Sequence, residues 1–135
     1  MNFIAAPMPA NESRRQEAVE RLKIKGTDQH DVMIVYSAMA QELTGFAAVA
    51  ATLFDADSQY SLASCNFPGK SGDILMDRAQ SICSYTLLSS EPTLIPDTVS
   101  DERTANHPAV TSGMCGSYAG FPIINKDNYA LGSFC

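Results

Sequence analysis

Between Tyr118 and Cys135 two apolar runs, "YAGFPII" and "ALGSFC", flank the polar turn Lys126-Asp127-Asn128, and no other stretch restricts the fold as much. Asn128 can take the left-handed backbone that such a turn asks for, so the two runs are predicted to be antiparallel strands of one hairpin. A hairpin alone is marginal in water and needs further sheet beside it. "FAAVAATLFD", from Phe46, is short, follows Gly45 and ends in the turn cluster Asp55-Ala56-Asp57-Ser58, which predicts a central strand. "YSLASCNF", Tyr60 to Phe67, alternates apolar and small polar residues and should pair with it as a second hairpin. "TLIPD" adds a short strand closed by proline.

The remaining segments read as helix or loop. Ser13-Arg14-Arg15-Gln16 has the form of an S-x-x-Q capping box, Ala18, Val19 and Leu22 make an apolar stripe, and Gly26 is a natural stop. Asp28 is placed to cap a second helix in which Val32, Val35, Met39 and Leu43 recur at helical spacing, predicting that this face lies on the sheet. Met76 to Leu88 is predicted helical, and Thr98 to Ser112 is a polar segment with one or two helical turns. Residues 1–11, with Pro7 and Pro9, read as a flexible leader. Helices mostly grouped around antiparallel strands, without strict βαβ alternation, give an α+β class.

Composition narrows the function. A chain of 135 residues, 45% hydrophobic and 18% charged, suits a single domain. The formal charge is -6, and since Glu12 to Lys25 holds five Lys/Arg against three Glu, the remainder stands at four against twelve. Such an acidic body without Trp excludes a nucleic-acid partner. No apolar run approaches the about 20 residues that span a bilayer, so no membrane association is expected and the protein is placed in the cytoplasm. Cys65, Cys83, Cys115 and Cys135 lack C-x-x-C spacing and a completing His, which predicts buried thiols and no metal site, with redox chemistry or thioether attachment as the alternatives. Gly69-Lys70-Ser71 lacks the upstream glycine of a phosphate loop because Ser64 stands there, and Asp55-x-Asp57 lacks the glycine and glutamate of a calcium loop at Tyr60 and Asn66; both read as turns. His30 and His107 are the only imidazoles, and no serine sits in a G-x-S-x-G elbow, so no catalytic residue is assigned.

The stretch from Ile95 to Ile124 is more informative. Asp97, Asp101 and Arg103 form a charged group after the short strand, and Gly113, Gly116 and Gly120 allow close backbone approach. They either relieve crowding or leave a cavity between loop and sheet, into which Tyr118 would present a hydroxyl. The ordered series Ser81-Ile82-Cys83, "LIPDTVSDER", "NHPAV", "YAGFPI" and "ALGSFC" resembles the GAF domain family in its bacterial signalling form, over Glu12 to Cys135.

That resemblance implies five to six antiparallel strands, terminal helices on one face, and a pocket covered by loop and short helices on the other. It also implies a longer last strand and a following helix, so the domain at 12–135 is expected to be truncated at its C-terminal strand. The candidate ligand contacts are Cys83, Asp97, Asp101, Arg103, His107, Cys115 and Tyr118. Thr104, His107 and Gly116-Ser117 replace the Phe, Asn and Arg-Phe of the family pattern, all at the presumed pocket. The expected function is a non-enzymatic sensor of an unknown small molecule, with no cofactor identified. It would act as a homodimer through the first helix, with Ala18 and Leu22 at the seam, and would be coupled to an output domain. A structural or dimerisation module without ligand is the alternative. A methionine sulfoxide reductase using Cys83 and Cys115 is a further one.

Overall fold

A computed structural model describes residues 2–23, 31–67 and 70–135. The expected Gly26 stop, the Asp28 cap, His30 and Gly69 lie outside these residues. Six antiparallel strands, β1 (Val49–Phe54), β2 (Ser58–Cys65), β3 (Ile74–Asp77), β4 (Thr93–Ile95), β5 (Tyr118–Ile124) and β6 (Ala130–Phe134), form one sheet in the order β3-β2-β1-β6-β5-β4. Both hairpins expected from the sequence are present, and β1 meets β6 at the centre, with Ala51 opposite Phe134 and Thr52 opposite Ser133. Turn chemistry closes them. The Asp55 carboxylate accepts from the N–H groups of Asp57 (2.9 Å) and Ser58 (2.7 Å), and Asn128 sits at φ 65 where the second hairpin turns.

Two irregularities decide which residues share a face. The β1–β2 ladder skips Leu62, and the β5–β6 ladder skips Leu131. An extra residue in one strand reverses the alternation beyond it. Leu62 and Leu131 therefore join Ala51 and Leu53 on one face, while Thr52, Phe54, Ser61, Ala130, Ser133 and Cys135 share the other. Gly132 makes the β6 bulge possible: a Cβ there would stand 1.8 Å from the Thr52 carbonyl oxygen.

Helices α1 (Glu12–Leu22) and α2 (Asp31–Thr44) cover the apolar face, where Ala18 and Val19 pack against Ala51, Leu53, Leu62 and Leu131. Several expected details are corrected. The first helix begins at Glu12 with Asn11 as N-cap, so Ser13 is interior and Gln16 bonds Glu12 (2.8 Å) instead of closing a capping box. Its C-cap is Lys23, in the left-handed conformation. Leu22 is exposed, and Arg15 is fully buried alongside Val19 and Ala18.

In α2 the stripe Val32, Val35, Met39 and Leu43 faces outward, with Leu43 81% exposed, while Met33, Ser37, Ala40 and Gln41 turn toward the protein. The Met76 to Leu88 helix is replaced by β3 and two 3₁₀ helices, Arg78–Gln80 and Ile82–Leu88. Hydroxyl bonding explains the change: Ser81 Oγ accepts from the Cys83 N–H, and Ser84 and Thr86 donate back to the Ser81 and Cys83 carbonyls three residues earlier (2.6 Å each), which favours the tighter turn. No described helix is long and apolar enough to cross a membrane.

Candidate functional site

The second face of the sheet is polar at its centre. Thr52 Oγ1 donates to the Ser133 carbonyl (3.2 Å), Gln59 Nε2 donates to Thr52 Oγ1 (3.1 Å), and Ser81 Oγ donates to Gln59 Oε1 (2.7 Å). The chain of bonds ends where Ser81 Oγ receives the Cys83 N–H (3.1 Å). Gln59, Ser61, Thr52 and Ser133 are all buried, an unusual density of polar side chains for a sheet interior.

Three hydroxyls on this face lack a hydrogen-bond partner among the described residues: Ser61 Oγ, Ser133 Oγ and Tyr118 Oη. Tyr118 lies close enough to Cys83, Cys135 and Ser133 to feel them electrostatically, yet makes no hydrogen bond of normal geometry with them. Burial, then the neighbouring thiols, push its phenol well above the usual range. Buried hydroxyls left this way cost about 1–3 kcal/mol each. They mark a place where the fold tolerates a penalty.

Among the candidate contacts, Cys83 and Tyr118 are brought together on this face, in one cluster with Phe54, Leu87, Ala130 and Cys135. The Cys83 sulfur lies 3.2 Å from that of Cys135. Cys115 instead directs its thiol at the Ser117 carbonyl (3.6 Å), and burial raises its pKa. Asp97 is exposed; its carboxylate takes hydrogen bonds from Ser100 Oγ (2.5 Å) and the Val99 N–H (3.1 Å), which lower its pKa. Asp101 holds Arg103 in a two-pronged pair (2.9 and 2.7 Å), and that bond keeps its carboxyl at about 2.

His107 caps α3 (Pro108–Thr111), accepting from the Ala109 N–H at Nδ1 (3.0 Å), while Nε2 lies 2.8 Å from the Gln80 carbonyl. Phe3 packs edge-on against His107 at 4.7 Å between ring centres, and Tyr85 donates to the Ile4 carbonyl (2.7 Å). The described leader residues thus touch both the loop and the second 3₁₀ helix. Thr104, where the family pattern has Phe, is fully buried and donates to the Thr98 carbonyl (2.7 Å), so a hydrogen bond occupies the position of a ring.

The glycine-lined space divides. Gly113 and Gly116 face open space. Over Gly120, by contrast, a Cβ would lie 2.2 Å from Tyr118 Oη and 2.5 Å from Thr86 Cγ2, so the chain's own side groups fill that part of the expected cavity. Two surface depressions, of about 670 Å³ along Ser13, Gln16, Glu17, Glu20 and Arg21 and about 440 Å³ beside Ala10, Asn11, Arg14 and Tyr129, lie away from the loop. No group of three or more His, Cys, Asp or Glu among the described residues is placed to hold a metal ion.

An ionic cluster joins the polar face to α1. Glu12 receives Arg15 (2.9 and 3.0 Å) and Arg78, whose second nitrogen is at 2.9 Å, while both arginines also donate to the Asp55 carbonyl (3.2 and 2.9 Å). Arg15 Nη1 reaches the Phe54 carbonyl (2.8 Å). Burial raises the Glu12 pKa, but the hydrogen bonds from Arg78, Arg15 and Gln16, with the Arg15 charge, outweigh it and hold the carboxyl at about 2.

Sequence reasoning missed Thr52, Gln59, Ser61, Ser81 and Ser133. Their signal was present, since Gln59 and Ser61 are polar residues two apart on a strand with buried neighbours.

No family profile and no curated protein matches the sequence. Solved structures do. The GAF domain of an Acinetobacter phosphoenolpyruvate-protein phosphotransferase superposes with a TM-score of 0.61 at 14% identity, covering 94% of this chain and 76% of that one. The phycocyanobilin-bound GAF domain of a cyanobacterial phytochrome gives 0.57 at 18% identity, covering 90% and 74%. Free methionine-R-sulfoxide reductase from Neisseria meningitidis, in complex with its substrate, gives 0.58 at 17% identity, covering 99% and 77%. These likenesses concern backbone architecture, and they give the chain a GAF-domain fold.

Proposed function

We propose that this GAF-fold chain is a non-enzymatic sensory domain. A small polar molecule is held between the polar sheet face, the 3₁₀ helices and the loop from Asp97 to Cys115, and its arrival is passed to α1. The observation that carries this reading is the set of three buried hydroxyls, on Ser61, Tyr118 and Ser133, that find no partner among the described residues. A guest with donors and acceptors relieves those penalties only in the bound form, which is the difference in affinity between two states that a sensor needs. Cys83 and Tyr118 are the direct contacts in this scheme. Asp97, Asp101, Arg103, His107 and Cys115 shape and fasten the loop above them.

Transmission follows from the connections. Ser81 touches the polar face and its N–H donates to the Arg78 carbonyl (3.1 Å), and Arg78 grips Glu12 at the start of α1. A shift of the 3₁₀ helices on binding therefore pulls on α1, from which an output domain of a signalling protein would read it. Hydrogen exchange on the full chain, with and without fractions of a small-molecule cell extract, tests the proposal. Protection of residues 81–88 and 97–117 by one fraction is expected; the absence of any such fraction, or protection limited to α1, would count against it.

A second reading, self-association, is favoured by one observation. Val32, Val35, Met39 and Leu43 leave an apolar stripe on the outside of α2, whereas Ala18, expected at a dimer seam on α1, is buried against the sheet. A homodimer would accordingly form through α2. Sedimentation of the wild type and of Leu43→Glu decides it, since a dimer through α2 requires the variant to be monomeric.

A further inference from the structure

Cys83 and Cys135 come from positions 52 residues apart and place their sulfurs 3.2 Å from one another, both as free thiols. A disulfide bond is about 2.05 Å long, so a closing movement of roughly 1.2 Å would join them. The other two cysteines are engaged elsewhere: Cys65 donates to Gln41 (2.7 Å) and Cys115 to the Ser117 carbonyl (3.6 Å).

The two partners are held with different firmness. Cys135 is pinned by its main chain, donating to and accepting from Ala50 at 2.8 and 2.7 Å in the centre of the sheet. Cys83 rides on a 3₁₀ helix, whose weaker hydrogen-bond geometry yields more easily. The environment also separates their chemistry. Either thiol can donate across the 3.2 Å contact; with Cys83 as acceptor, that bond lowers the Cys83 pKa against the opposing effect of burial. Cys135 is raised well above its ordinary value by the same contact and by burial. With the shared proton on Cys135, the yielding Cys83 is the attacking thiol and the pinned Cys135 the resolving one.

We propose that Cys83 and Cys135 form a hydroperoxide-responsive dithiol that closes reversibly to an intramolecular disulfide, locking the second 3₁₀ helix onto β6. The Cys83 thiolate attacks one oxygen of hydrogen peroxide; the S–O bond forms, the O–O bond breaks, and the departing hydroxide leaves as water with the proton that Cys83 gave up. The Cys135 sulfur then attacks the sulfenic sulfur of Cys83. The S–S bond forms, the S–O bond breaks, and the second water leaves with the Cys135 proton. Two thiols and one peroxide give one disulfide and two waters, both sulfurs being oxidised and both peroxide oxygens reduced. Cys83 is 7% exposed, which selects a small oxidant over a bulky disulfide donor. A low-molecular-weight thiol added in excess to the closed form reverses the bond by exchange, itself becoming the disulfide.

Closure has a mechanical outcome. The helix that moves also carries Tyr85, bonded to the Ile4 carbonyl, and Thr86, which abuts the site of Gly120 beside Tyr118. This signal goes beyond the ligand reading and does not require it, because the bond forms from the chain's own sulfurs.

The test uses the full chain, fully reduced, treated anaerobically with hydrogen peroxide and then denatured and alkylated. The expected result is loss of two of the four alkylatable thiols, a mass lower by two hydrogens, and one cross-linked peptide pair joining Cys83 to Cys135. A Cys65→Ser/Cys115→Ser double variant should give the same pair. Cys135→Ser should stop at a Cys83 sulfenate that dimedone traps, and Cys83→Ser should leave Cys135 unmodified. Four alkylatable thiols after peroxide, a bond from Cys83 to Cys115, or only bonds between chains would each overturn the proposal. A sensor that responds to an extract fraction but keeps four thiols after peroxide loses this inference and retains the ligand reading; the reverse outcome does the opposite.

Discussion

Gly132 is held by geometry, and its replacement measures how tightly β1 and β6 are fitted. A methyl group there meets the Thr52 carbonyl at 1.8 Å, and neither partner is a flexible side chain. Gly132→Ala is expected to cost about 3 kcal/mol or more in urea denaturation, while Gly116→Ala, whose Cβ meets nothing within 4 Å, stays within about 0.5 kcal/mol. Tyr118→Phe works in the opposite direction. Removing a buried hydroxyl with no partner should leave stability equal or raise it by about 1 kcal/mol, and should abolish the extract-dependent hydrogen-exchange protection. A marked loss of stability would mean that the hydroxyl holds the fold instead of awaiting a guest. Arg15 illustrates the limit of reading residues one at a time. Sequence places it on a charged helix face, but its carbonyl partners Phe54 and Asp55 lie about 40 positions away, and only the folded sheet edge makes its burial favourable.

The helices and strands were unequally legible. Hairpins were readable because the turn clusters at Asp55 and at Lys126-Asp127-Asn128 act locally, and Asx-type bonds from Asp55 and Asn125 close both turns in the fold. The face of α2 was not, since its apolar residues are spread around much of the helix and the sheet selects the narrower side carrying Ser37 and Ala40. The expectation that Val32, Val35, Met39 and Leu43 face the sheet failed for that reason. Val35→Glu and Met39→Glu are accordingly expected to change the midpoint of thermal unfolding by the equivalent of about 0.5 kcal/mol or less, whereas Ala18→Glu, in the packed cluster beneath α1, should prevent cooperative folding. The 3₁₀ helices were hidden by another local effect. Ser81, Ser84 and Thr86 look like helix-compatible residues in an apolar run until their hydroxyls are seen to bond back within three residues.

At the scale of the whole molecule, two faces of one sheet have different chemistry and are joined at an ionic knot. Glu12 brings together α1, the β1–β2 turn and the first 3₁₀ helix through Arg15 and Arg78. Its folded pKa of about 2 lies below the ordinary 4.5, so its contribution to stability is complete above about pH 4.5 and disappears as the pH falls toward 2. With allowance for solvent screening, the amount lost is on the order of 1–2 kcal/mol. Glu12→Gln should be less stable than the wild type at neutral pH and show a flatter acid limb between pH 4.5 and 2 in denaturation followed by circular dichroism. An unchanged slope would place the acid sensitivity elsewhere.

The supernumerary Leu131 in β6 carries a consequence of its own. Excising that single codon would set Ala130 next to Gly132 and make the alternation regular: Ser133 and Cys135 would stay on the polar face and Phe134 on the helix face, and the sheet would lose only the Leu131 side chain from the cluster beneath α1. The inserted leucine thus thickens one side of the sheet while the sulfurs on the other stay where the regular strand would put them.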